Sequence, residues 1–175
     1  MRTIAAGAVL IVGACASQPR DEQALPESAD AESADRKPWN AAEMTRLTAE
    51  LSRAVRDVRA AWRRDPAYRD PSNPNRRAAL RLDETLRTLD QRTTQLASRV
   101  EGGGGFEQTR SIARNIGVLL NDVDVEARRI GSNQFMEAQV RPAMQLVNEI
   151  APYYGRGPLY DPETMQRLDR PARTR

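Results

Sequence analysis

Histidine is absent from this 175-residue chain, and cysteine and lysine occur once each, as Cys15 and Lys37. Without imidazole there is no histidine general base, no Ser-His-Asp triad, no histidine zinc ligand and no histidine-ligated haem. A single thiol excludes an intramolecular disulfide framework and a thiolate metal cluster. Aromatic residues make up 5 % of the chain. Any core is therefore aliphatic, which favours amphipathic helices over a β-sandwich built from β-branched and aromatic side chains. The apolar run Ile4–Val12 is nine residues long, far short of the ~20 that a membrane-spanning helix needs.

Charge is plentiful and mixed. Twenty-seven basic residues face 24 acidic ones, for a formal net charge of +3. Setting aside the four basic and six acidic residues ahead of Trp39 leaves 23 against 18. The charge thus divides into an acidic N-terminal stretch and a mildly basic remainder. Both signs are interleaved along that remainder. A nucleic-acid binder concentrates basic residues on one face, so no nucleic-acid partner is expected.

Residues 1–14 have the layout of a secretory signal, with Arg2 as the positive start, Ile4–Val12 as the apolar stretch and small residues after it. Val12-Gly13-Ala14-Cys15 resembles the lipobox of bacterial lipoproteins, in which an aliphatic residue and two small ones precede the cysteine. Val12 stands where Leu is commonest, and the resemblance covers residues 1–15 alone. It implies that Cys15 receives a diacylglyceryl thioether, becomes the N-terminus after cleavage and gains a further acyl chain. At ~0.8 kcal/mol per buried CH₂, one chain holds weakly and two or three anchor stably. Ala16 in place of Asp after the cysteine resembles an outer-membrane sorting signal. The implied location is the cell envelope, on the outer membrane facing the periplasm.

After Cys15, residues 16–38 place Asp21, Glu22, Glu27, Asp30, Glu32 and Asp35 among Ala, Ser, Gln and Pro, with Leu25 the one large aliphatic side chain. This composition cannot bury enough surface to offset ordering entropy, and it predicts a disordered linker over 15–38. As a flexible chain its ends lie ~25–30 Å apart.

Residues 39–169 read as an all-α domain. Asn40 and Glu43 have capping-box spacing, and Met44, Leu47, Leu51, Val55, Val58 and Trp62 follow in steps of three and four. Pro66, Pro71 and Pro74 then predict a stiff loop after Arg64. A second helix is expected over 75–101 with Leu82, Leu86, Leu89, Thr93, Leu96 and Val100 inward, Thr93 bonding back to a carbonyl one turn earlier. Gly102–Gly105 ends it, since four glycines at ~1 kcal/mol each cannot stay helical. A third helix over 106–130 carries Ile112, Ile116, Leu119, Val123, Ala127 and Ile130, with Leu120 widening the stripe and Gly131 as its cap. A fourth starts near Ser132 or Asn133 and carries Met136, Val140, Ala143, Val147 and Ile150, with Pro142 kinking or splitting it. A last turn is expected after Asp161-Pro162, with Met165 and Leu168 inward, before a loose tail over 170–175. Short loops between four such segments argue for an up-down-up-down four-helix bundle, with two helical hairpins shared with another chain as the alternative. Oligomerisation is compatible with either.

No motif for catalysis emerges. The acids Asp122, Asp124 and Glu126 lie close to Arg128 and Arg129 and read as a salt-bridged face rather than a metal site. Gly102–Gly105 lacks the strand and the Lys-Ser/Thr of a phosphate loop. Neither enzymatic activity nor a cofactor is expected. The segment from Pro152 to Tyr160 holds three of the chain's eight aromatics, and Tyr153, Tyr154, Arg156 and Tyr160 are its candidate partner-binding residues. The plainer reading has the tyrosines closing the open end of the bundle, against Trp39 or Trp62, with their hydroxyls in water. Together these features suggest an envelope adaptor that meets the membrane through acyl chains on Cys15 and docks a protein partner. The alternatives are a small-molecule or lipid binder with an apolar cavity between the helices, and non-covalent contact with acidic wall or lipopolysaccharide groups. Covalent wall attachment through a terminal lysine is disfavoured, because the sequence closes on Arg173-Thr174-Arg175.

Overall fold

Asn40 starts the first helix in the way its spacing predicts. Its backbone is extended, and its side-chain oxygen accepts the Glu43 N–H at 3.1 Å. Helix α1 then runs Ala41–Trp62 and buries Met44, Leu47, Leu51, Val55, Val58 and Trp62 on one face. Each such side chain taken from water contributes roughly 1.5–3 kcal/mol. In the computed structural model, residues 36–131 and 135–160 are described. The signal segment, Cys15, the linker up to residue 35, the start of the fourth helix at Ser132 or Asn133, the turn after Asp161-Pro162 with Met165 and Leu168, and the tail 170–175 lie outside them.

The proline-rich connection differs from the expected loop. Asp65 caps a one-turn helix, α2 (Pro66–Arg69), by accepting the Ala67 N–H at 2.8 Å. Proline in the first turn lacks an N–H that would have gone unpaired in any case. The rest of the connection is held by Asn73 donating to the Ala67 carbonyl at 2.7 Å, and by the Arg76 guanidinium donating to the Tyr68 carbonyl.

Helix α3 (Arg76–Glu101) buries Leu82, Leu86, Leu89, Thr93, Leu96 and Val100 as its periodicity predicts, together with Ala79. Thr93 donates back to the Asp90 carbonyl at 3.1 Å. Gly103 then takes φ +85°, and the Gly104 N–H returns to the Arg99 carbonyl at 2.8 Å. A Cβ on Gly104 would sit 2.6 Å from that same oxygen, so the sharp reversal admits no side chain there. Helix α4 (Phe106–Ile130) follows and ends at Gly131 with φ +76°. Its inward stripe is Thr109, Ile112, Ile116, Leu120, Val123 and Ala127, with Leu119 and Ile130 half-buried at its edge. A step of four after Ile116 keeps the stripe from drifting round the helix.

The fourth helical segment is divided just before Pro142, as one of the two expectations had it, and the chain stays helical across the join. From Phe135 the chain makes a π-helical turn (Met136–Val140) and runs directly into α5 (Arg141–Ile150), with Pro142 in its first turn. The wide turn absorbs the ring and the missing N–H at that point. A 3₁₀ turn (Ala151–Tyr154) continues from α5 and ends at Gly155, φ +66°.

The described residues form an all-α bundle with alternating helix directions. Helix α3 lies between α1 and α4, and α5 packs back on α1. Ion pairs record the antiparallel register: Arg59–Asp90 at 3.1 Å and Arg63–Asp83 at 3.3 Å join α1 to α3, and Arg81–Glu126 at 3.5 Å joins α3 to α4. One end of the bundle gathers Trp62, Tyr68 and Phe135. The other gathers Trp39, Phe106, Tyr153 and Tyr154.

Candidate functional site

The Pro152–Tyr160 segment folds back onto the bundle. Tyr153 is fully enclosed, and Tyr154 and Tyr160 are buried. The three tyrosines therefore serve as packing groups in this structure, not as exposed anchors, and their hydroxyls are not in water as the plainer reading had them. Tyr154 donates to Thr109 Oγ1 at 2.8 Å, and Thr109 in turn donates to the Gly105 carbonyl at 2.8 Å. Burial raises the Tyr154 phenol pKa, against the opposing effect of Thr109. The Asn148 amide holds Tyr160 from both sides of its backbone, accepting its N–H at 3.1 Å and donating to its carbonyl at 3.0 Å. The Tyr160 hydroxyl is buried without a hydrogen-bond partner among the described residues. Burial, and then the Asp124 carboxylate, push its pKa far above the ordinary phenol range.

The chain ahead of α1 packs on the same end. The Lys37 N–H donates to the Pro152 carbonyl at 2.9 Å. Its ammonium lies 4.5 Å from the Tyr153 ring centroid and pairs with Glu43 at 3.3 Å. Trp39 meets Tyr153 and Tyr154 edge-on, at centroid distances of 6.4 and 6.0 Å. The Arg36 guanidinium lies 4.2 Å over Phe106. Residues 36–38, assigned to the linker by composition, are thus a strap across the bundle end. The Tyr153 hydroxyl is enclosed beside Glu43 and Lys37 and closes no hydrogen bond of good geometry with them. Burial raises its pKa first, and Glu43 adds to this. Tyr153 and then Glu43 hold Lys37 above its ordinary value, while Tyr153 and Lys37 hold Glu43 below its own.

Folding back of the segment also creates a groove on the outer side of α4. Leu159 lies over Gly117, where a Cβ would come within 2.9 Å of its Cδ1. Arg114, Val118 and Asn121 on α4 face Arg156 and Leu159 across a space of about 290 Å³. Val118 is 58 % exposed and Leu159 41 %, so the floor is aliphatic and open. The groove continues toward Arg110, whose guanidinium lies 5.6 Å from the Phe106 centroid. Among the described residues no carboxylate lines either part. Among the described residues, neither Arg114 nor Arg156 has an ion-pair partner.

A second surface depression, between α3 and α4, has the opposite character. Glu126 pairs there with Arg129 at 2.9 Å and with Arg81, and nearby Asp124 pairs with Arg128 at 2.9 Å. The acidic cluster is the salt-bridged face its spacing predicts. Among the described residues no cluster of His, Cys, Asp or Glu is arranged to hold a metal ion, and no helix is long and apolar enough to cross a membrane.

Of the four candidate residues, Arg156 is the one that contributes to the groove as a surface group. Arg114, Val118 and Leu159 have no local motif to mark them. The available signal is Gly117, a glycine inside an otherwise strong helical pattern, which marks a close approach of other chain. Comparison with protein-family models, with curated proteins and with solved structures finds no match for this chain.

Proposed function

We propose that the protein is a lipid-anchored envelope adaptor, held to the outer membrane through Cys15, whose helical domain binds an acidic segment of a protein partner in the groove along α4. The observation that carries the docking role is the pairing of Arg114 and Arg156 with the exposed Val118 and Leu159, with no carboxylate among the described residues that line the groove. An amphipathic acidic segment satisfies both features, laying apolar side chains on the floor and carboxylates on the guanidinium forks. Arginine is also among the side chains enriched at binding hot spots. The lipobox pattern Val12-Gly13-Ala14-Cys15 supports the anchor. Contact with acidic wall or lipopolysaccharide groups would use the same arginines but leaves Val118 and Leu159 without a role.

The test is a photo-crosslinking amino acid at Val118 in the full acylated chain, irradiated in its native membranes. A discrete protein adduct is expected, falling at least tenfold in the double variant Arg114→Glu/Arg156→Glu, about the loss expected when a charge-assisted contact is reversed. An adduct of equal yield in the variant, or a saccharide adduct alone, overturns the reading. Cys15→Ala separately tests the anchor, and loss of fatty-acid labelling and of membrane association is expected.

A further inference from the structure

We infer that the groove is the docking place of the chain's own acidic linker, residues 21–35, which competes there with an outside acidic segment. The inference rests on the docking role given to the groove above and specifies how that role is regulated.

The strap delivers the linker to the head of the groove. Arg36 and Arg110 approach the same Phe106 ring, at 4.2 and 5.6 Å, and Lys37 is tied to Pro152. Arg36, the first described residue, therefore lies at the first turn of α4. The reach is sufficient. Arg114 lies ~12 Å along α4 from Phe106 at 1.5 Å per residue, a distance that about four extended residues cover. Glu32 and Asp30 are thereby within range of Arg114 and Arg156. A flexible ten-residue stretch spans ~17 Å, which brings Leu25 level with Val118, ~18 Å along the helix.

Charge selects the linker over the other end of the chain. Residues 21–35 carry six acids and no basic residue. Residues 161–175 carry Asp161, Glu163 and Asp169 against Arg167, Arg170, Arg173 and Arg175, so that segment lacks the uniform negative charge of the linker. Tethering adds to the selection, because a short flexible connection gives an effective concentration of order millimolar. A free acidic segment must displace a ligand that is always present.

Two measurements on the full acylated chain test this. Cys15 is the one native cysteine, and acylation removes its thiol, so introduced pairs report cleanly. Ala31→Cys with Val118→Cys is expected to form an intramolecular disulfide about tenfold faster than Ala31→Cys with Gln91→Cys on the exposed face of α3. The advantage should vanish at ~1 M salt, where the Debye length is ~3 Å, and in the background Asp30→Asn/Glu32→Gln/Asp35→Asn. Equal rates at the two positions overturn the inference, as does a product joining two chains, which would put a neighbour's linker in the groove. The second measurement titrates a synthetic peptide of residues 21–35 into the wild-type chain and into the neutralised-linker variant. About tenfold tighter binding to the variant supports self-competition. Equal, measurable binding to both overturns it and leaves the docking role of the groove intact. No binding to either, with a Val118 photo-adduct insensitive to Arg114→Glu/Arg156→Glu, overturns both.

Discussion

Both ends of the bundle are closed by a tryptophan among aromatic rings, but by opposite means. At the far end Trp62 belongs to the inward stripe of α1. It is fully buried, and it lies 5.2 Å from Phe135 and 6.0 Å from Tyr68 by ring centroid. At the strap end Trp39 stands outside any helix, half-buried, with its edge contacts on two tyrosines and cations over neighbouring rings. The far end cannot open without disturbing α1. The strap end can release four residues and leave every helix in place. The difference teaches that one end is part of the core and the other is a removable closure.

Substitution of the two tryptophans breaks the comparison most severely. Trp62→Ala is expected to lower unfolding stability by about 3–5 kcal/mol, because it empties a fully enclosed site. Trp39→Ala should cost about 1–2 kcal/mol, the scale of two edge-on ring contacts. Chemical denaturation of both variants measures the gap, and comparable losses would contradict the assignment of Trp39 to a closure. Tyr154→Phe comes next, at about 1 kcal/mol, since it removes a buried hydrogen bond while Thr109 keeps its own bond to Gly105. Tyr160→Phe gives the smallest effect. Its hydroxyl is buried without a partner among the described residues, so its removal is expected to be neutral or stabilising by about 1 kcal/mol at most.

pH separates the ends in a further way. Glu43 is held below the ordinary carboxyl value, so its contribution to the strap is complete above that value and lost as pH falls through the lowered one. Lys37, Tyr153 and Tyr154 are held above their ordinary values. Their contributions are complete below those values and lost as pH rises through the raised ones. Strap docking should be constant around neutrality, and should weaken in acid below the ordinary carboxyl value and in alkali above the ordinary phenol and ammonium values. The difference in tryptophan fluorescence between wild type and Trp39→Phe reads the strap alone. Trp62 and Phe135 do not titrate, but Asp70 in the connection at their end is also held below its ordinary value, by Ser72, so an acid transition is expected there too, and the strap end is set apart by its groups held above their ordinary values.

The helices were legible because each is a local repeat. The inward positions of α1 and α3 follow from spacing alone, and Thr93 satisfies itself within one turn. The packing of the tyrosine segment against Trp39 was legible, but the pairs that fix the strap and the fold-back were not, because each joins residues far apart in sequence: Lys37 with Pro152, Tyr154 with Thr109, Asn148 with Tyr160, Leu159 with Gly117. Tyr and Arg on a Gly/Pro segment look alike whether they face a partner or the bundle. Tyr160 is held by Asn148, Tyr154 by Thr109, and both Tyr153 and Tyr154 meet Trp39, none of which lies in the segment. The turn before Pro142 was hidden for a related reason. A proline near a helix start is tolerated, and a proline one turn deeper calls for a wide turn, so the outcome depends on where the helix begins.

The bond from Lys37 to Pro152 has a mechanical consequence. It ties the start of the folded chain to its closing turn, so a pull on the N-terminal chain does not unzip α1 from its first residue. The load enters at the strap and divides between the beginning of α1 and the end of α5, which lie against each other. Contacts loaded together in shear yield together, whereas contacts loaded from one end yield one by one. The bundle is hung from two points, the beginning of α1 and the end of α5.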